Sequence, residues 1–78
     1  MEIRELFARN LRKMRQAKGL SQEELAHRAN VDRTYVSSLE RAVYSPTIEV
    51  LEKLARALGS RPEDLIKSAE VDERHQGD

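Results

Sequence analysis

Cysteine is absent from these 78 residues, so neither a disulfide nor a thiolate-bound metal can supplement the fold. Glycine is scarce, and Gly19, Gly59 and Gly77 stand far apart, so the chain contains no glycine-rich loop of the kind that cradles phosphate. No apolar run approaches membrane-spanning length. The start, M-E-I-R-E-L-F-A-R-N, mixes charges of both signs with apolar residues, unlike the basic-then-apolar layout of a secretory signal. A soluble, cytoplasmic protein with no membrane partner is expected. Sustained alternation of apolar and polar residues is missing as well, so no strand is expected.

Net charge is also missing: 14 Lys and Arg face 14 Asp and Glu. That balance excludes a generic polycation that would coat any nucleic acid. The two halves nevertheless differ. Residues 1–44 hold nine basic side chains against six acidic, whereas residues 45–78 hold five against eight. A polyanion would therefore be met by the first half.

Catalytic constellations are equally sparse. The two histidines, His27 and His75, fall on a helix surface and in a polar tail. The single E-x-x-H, Glu24 to His27, lacks the second copy and the extra carboxylates that a di-metal bundle needs. No serine sits in a nucleophile elbow. The expectation is a protein that is not an enzyme, with no metal, no cofactor and no evident small-molecule ligand.

What is present is helical punctuation. At this length a single core only just balances chain entropy, which favours a compact bundle. In residues 2–18, Ile3, Leu6, Phe7, Leu11 and Met14 share one arc at the helical period, and Gly19 ends the segment. Ser21 and Glu24 form a capping box that opens a second helix buried through Leu25, Ala26 and Ala29, with Asn30 as its left-handed end. Asp32 caps a third helix over residues 33–41. Ser45 followed by Pro46 predicts the start of a fourth helix that ends at Leu58 and stops at Gly59. Ser60 and Glu63 predict a capping box for a fifth, carrying Leu65, Ile66 and Ala69. The fold class is all-α: a five-helix bundle domain over residues 1–69, with residues 70–78 a polar, flexible tail.

The second and third segments are joined by too few residues to run antiparallel in full contact, so they must cross steeply, as in a helix-turn-helix. On a helical wheel Val36 and Leu39 of the third segment point one way, with Tyr35 at the border, while Arg33, Thr34, Ser37, Ser38 and Arg41 occupy the opposite arc. Every member of that arc can hydrogen-bond and none is acidic. A merely solvated helix would more often carry Glu and Lys there, so the composition points to a face that docks on DNA.

Chemistry then assigns roles. Arg33 has the planar fork that pairs with guanine O6 and N7, a contact worth about 1–3 kcal/mol of discrimination. Thr34 offers a methyl or a hydroxyl, and Ser37 and Ser38 are small donors and acceptors for base edges. Gln22, opening the second helix, is a phosphate-contact candidate. Arg41 and Tyr44, beyond the third helix, are further backbone-contact candidates.

Residues 11–59, from L-R-K-M-R-Q-A-K-G-L-S-Q-E-E-L-A through V-S-S-L-E-R to S-P-T-I-E-V-L-E-K-L-A-R-A-L-G, resemble the Cro/cI-type (XRE) helix-turn-helix regulators, which have a lambda-repressor-like fold. D-R-T-Y-V-S-S-L-E-R is especially similar to restriction–modification controller proteins. The resemblance implies a five-helix bundle in which the second and third helices read double-stranded DNA, and binding as a two-fold homodimer. It implies that Gln22 meets phosphate, that Arg33, Thr34, Ser37 and Ser38 meet bases, and that Arg15 and Glu40 form a structural ion pair. One position departs from the pattern. Where the family usually has Gly after E-R this chain has Ala42, which makes a left-handed turn harder there and leaves the geometry of A-V-Y-S open.

A single short helix reads too few base pairs to find one genomic site, so pairing of two domains is expected. In the fourth helix Ile48, Leu51, Ala55 and Leu58 form one stripe, and Leu54, Val50 and Ala57 widen the apolar arc beyond one buried face. Val50, Ala57 and Ile66 are the resulting dimer candidates. The best-supported expectation is a DNA-binding transcriptional regulator, such as a repressor, on a near-palindromic operator. The alternative is an antitoxin, a protein-interaction module that also autoregulates by binding DNA, and co-purification of a toxin would distinguish it.

Overall fold

The computed structural model describes residues 2–68. Four α-helices and one 3-10 turn account for the regular structure: α1 Ile3–Ala17, α2 Gln22–Ala29, α3 Arg33–Glu40, α4 Ile48–Ala57 and the turn Pro62–Leu65. Among the described residues there is no strand. The expected tail, residues 70–78, and Ala69 lie outside the described residues.

Each boundary has a local cause. The Glu2 carboxylate accepts from the amides of Arg4 and Glu5 and opens α1. Gly19 closes it at φ 71°. At α2 the Glu24 amide donates to Ser21 Oγ at 3.0 Å and the Ser21 amide to Glu24 Oε1 at 2.9 Å, a reciprocal box. Asn30, at φ 59°, ends the helix in the left-handed region. Only Asn30, Val31 and Asp32 separate α2 from α3, and Asp32 Oδ1 accepts the Thr34 amide at 2.7 Å to start the next helix.

Two expected starts fall elsewhere. Thr47, not Ser45, caps α4, its Oγ1 accepting from the Val50 amide at 3.1 Å. A helix begun at Pro46 would place Thr47 inside its first turn and forfeit that cap. The expected fifth α-helix is a single 3-10 turn. Ser60 closes α4 instead: its amide and its hydroxyl donate to the Ala55 carbonyl at 2.9 and 3.4 Å, so that amide cannot also donate to Glu63 in a capping box. The capping pair moves one residue on, to Arg61, whose amide donates to Asp64 Oδ2 at 3.0 Å.

Phe7, Leu11, Leu25, Val36, Leu39, Leu54 and Leu65 are the largest fully buried side chains, and they come from every element. α2 packs on α3 and α4, α1 on α3 and the 3-10 turn, and α4 on that turn. Asn10 Nδ2 donates to the carbonyls of Leu65 and Lys67, both at 3.0 Å, and ties the end of the described chain to α1. The expected stripe of α4 shifts round the helix: Leu54, Ala55 and Leu58 are buried, Leu51 is half-buried, and Ile48 is 83% exposed. Ile48 lies in the first turn, nearly two turns ahead of Leu54, the first residue of α4 that is fully buried.

Ala42 adopts φ 61° despite its Cβ. The Val43 amide donates to the Ser38 carbonyl at 3.0 Å and the Ala42 amide to Leu39 at 3.1 Å, so the chain closes α3 with the hydrogen bonds a glycine would allow without strain.

Candidate nucleic-acid interface

α3 is amphipathic over only eight residues. Val36 and Leu39 are fully buried, Tyr35 and Ser37 are half-buried, and Arg33 and Thr34 are exposed in its first turn. Arg41 and Tyr44, past its end, are exposed too. The exposed residues put one guanidinium and one hydroxyl at the leading end of the helix and a second guanidinium just past its close, which suits an anionic, hydrogen-bonding surface.

Ser38 does not belong to this face. It is only 7% exposed, and the return of the chain through Ala42 and Val43 closes over that end of α3. On the wheel it sits at the rim of the polar arc, where periodicity alone does not decide between solvent and core.

Beneath the face lies a buried charge. Glu40 is 5% exposed and is the meeting point of three helices. Arg15 of α1 engages it bidentately, Nε to Oε2 at 2.6 Å and Nη2 to Oε1 at 3.0 Å. The third arm of the guanidinium, Nη1, donates to the Leu20 carbonyl at 2.8 Å, and the carboxylate holds the Arg15 pKa above its ordinary value through these hydrogen bonds. Gln22 of α2 donates from Nε2 to Glu40 Oε1 at 3.1 Å. Arg12 Nη1 donates to the Glu40 carbonyl at 3.2 Å and caps the C-terminal end of α3. Both Arg12 and the Gln22–Glu40 bond escape the sequence reading. Arg12 stands three residues before Arg15, on the same side of α1, and that spacing is the signal that could have found it.

The dimer candidates are placed as follows. Val50 and Ala57 are half-buried and pack against the chain's own core, while Ile66 is 42% exposed. On α2, Glu23, Glu24, His27 and Arg28 line an open groove, and Glu24, half of the E-x-x-H pair, is held in the capping box. No helix among the described residues is long and apolar enough to cross a membrane.

Comparison with known proteins matches this arrangement. The helix-turn-helix family profile fits residues 11–65. The control protein C.BamHI of Bacillus amyloliquefaciens is 40% identical over 65 residues, 82% of this chain and 80% of that one. A crystal structure of the hypothetical transcription factor NHTF from Neisseria superposes with a TM-score of 0.89 at 38% identity, covering 95% of this chain and 85% of that one. The restriction-modification controller protein C.AhdI from Aeromonas hydrophila superposes with a TM-score of 0.78 at 42% identity, covering 80% and 94%. With the helix pair, its exposed basic face and the profile match in agreement, the chain belongs to the XRE-type helix-turn-helix family of DNA-binding transcriptional regulators.

Proposed function

We propose that this chain acts in the cytoplasm as a homodimer on a near-palindromic operator, with α3 in the major groove. Arg33, Thr34 and Ser37 read base edges, and Gln22, Arg41 and Tyr44 hold the sugar-phosphate backbone. The observation that carries this reading is the division of α3: Val36 and Leu39 are fully buried while Arg33 and Thr34 stand exposed at its leading end. A helix anchored on one side with an uncommitted guanidinium on the other can enter a groove without unfolding anything. Ser38 is left out of the base-reading set because of its burial.

Pairing runs through the outer edge of α4 and the segment after it, where Val50, Ala57 and Ile66 retain accessible apolar surface. A two-fold dimer then sets its recognition helices about 34 Å apart, one turn of B-DNA. Similarity to C.BamHI and C.AhdI supports control of a restriction–modification operon as the biological setting.

Selection of bound duplexes from a random pool tests the reading. A two-fold symmetric consensus is expected, with Arg33→Ala losing preference at one symmetric position. Identical consensus sequences for Arg33→Ala and the parent would remove Arg33 from base reading, and a single asymmetric half-site would remove the dimer.

A further inference from the structure

We infer that Glu40, itself withdrawn from the surface, is a positioning residue for DNA: it fixes the Gln22 amide in the orientation that donates to a phosphate. The inference rests on the DNA-binding reading above and adds a residue that acts through another.

Gln22 opens α2 and is half-buried, and its Nε2 carries two hydrogens. One is given to Glu40 Oε1 at 3.1 Å. A carboxylate only accepts, so the amide cannot flip without setting Oε1 against an anionic oxygen. The second N–H is left to donate. A free glutamine must be immobilised when it binds, at a cost of about tenfold in affinity, and Glu40 removes much of that cost beforehand.

Glu40 can do this because it is itself immobile. Its two oxygens are held by Arg15 Nε and Nη2, and its carbonyl by Arg12 Nη1. Arg15 also holds the Leu20 carbonyl, two residues ahead of Gln22, so the same guanidinium fixes the approach to α2 and, through Glu40, its first side chain. Isolated charge pairing would need only Arg15. Addition of a neutral amide to the carboxylate, from the residue that starts the adjoining helix, is what the positioning role requires.

Two measurements test the inference. In the first, the parent, Gln22→Ala, Glu40→Gln and the double variant are titrated by fluorescence anisotropy with a labelled duplex of arbitrary sequence at low salt, urea melts confirming that each is folded. Gln22→Ala should lose about tenfold, the weight of one charge-assisted hydrogen bond. Glu40→Gln should lose affinity in the parent background and change it less than about twofold when Gln22 is already Ala, as expected for two residues acting as one unit. Equal losses in both backgrounds would mean that Glu40 acts by shifting α3, and overturn the proposal, as would no loss in the parent.

The second measurement needs no change at Glu40 and stands even if that variant does not fold. Side-chain amide relaxation of Gln22 in the free protein should give an order parameter of about 0.85, that of rigid backbone. A value as low as that of Gln16, which is exposed on α1, overturns the inference. A parent that binds no duplex at low salt would overturn the DNA reading, and this inference with it, whatever the mobility of Gln22.

Discussion

Replacing Ala42 with glycine should make this protein more stable, although the change removes a side chain and adds no contact. Ala42 holds φ 61° in the turn that closes α3. For a residue with a Cβ, that region costs about 1–2 kcal/mol through the clash of Cβ with the following carbonyl oxygen. Glycine is free of the clash but gives the unfolded chain more freedom, which offsets about 0.5–1 kcal/mol. The difference leaves a net gain of about 0.5–1 kcal/mol for Ala42→Gly. In a domain of this size each kcal/mol moves Tm by about 4–8 °C, so a rise of about 2–8 °C is expected.

Thermal unfolding followed by far-ultraviolet circular dichroism reads the shift. Ala42→Val should lower Tm, because a β-branched residue is a stronger outlier at positive φ. Ala8→Gly, in the buried face of α1, supplies a control of opposite sign, since the same chemical change within a helix costs about 1 kcal/mol. An unchanged or lower Tm for Ala42→Gly would refute the reasoning, and the turn after α3 would then not be left-handed in solution.

Arg15→Met should cost about 3–5 kcal/mol in urea unfolding by stranding Glu40, whereas Arg15→Met combined with Glu40→Met should recover most of that loss. Recovery of none would show that the hydrogen bonds to Leu20 and Gln22, not the charge pair, carry the stability. Asn10→Ala removes the donor to the Leu65 and Lys67 carbonyls and should cost about 1–3 kcal/mol, with amide exchange after Ser60 accelerating more than exchange in α2. The Ser21 amide lowers the Glu24 pKa from its ordinary 4.5, and the Arg61 amide lowers that of Asp64 from 3.8. Both contributions are fully present above those ordinary values and are lost as pH falls through the lowered ones. Glu24→Gln with Asp64→Asn should therefore flatten the acid limb of a stability–pH curve, and an unaltered limb would deny these caps any part in it.

Local chemistry made much of the fold legible. Ser21 with Glu24, Asp32, Asn30, Gly19 and Gly59 mark boundaries through groups only a few residues apart, so nothing distant needs to be known. Reading failed where one residue can serve two motifs. Ser60 is an acceptable N-cap by type, but its amide is needed to close α4, and the choice depends on how tightly that helix ends. Ser45 and Thr47 compete in the same way, and the winner is the hydroxyl that meets the Val50 amide. In the candidate interface the wheel assigns Thr34 to the outside because it lies well within the polar arc, and Arg33, at one rim of that arc, is exposed as well. The wheel fails at Ser38 because burial at the rim depends on where the chain goes after Ala42. The Gln22–Glu40 bond was illegible for a related reason: each residue has a sufficient role alone, and only the crossing of α2 and α3 brings them together.

The eight residues of α3 are too few to hold a helix in water by propensity, so its shape must come from its neighbours. Val36 and Leu39 supply burial, but apolar contacts are non-directional and do not by themselves fix rotation about the helix axis. Glu40 does, because a bidentate guanidinium on its carboxylate and a second guanidinium on its carbonyl admit one angular setting. An aliphatic pair of similar volume would often be as stable or more so. It could not reach Gln22 across the helix crossing. The same ion pair therefore sets which way Arg33 and Thr34 face and where the first side chain of α2 stands, two requirements that a surface made from two short helices must meet at once.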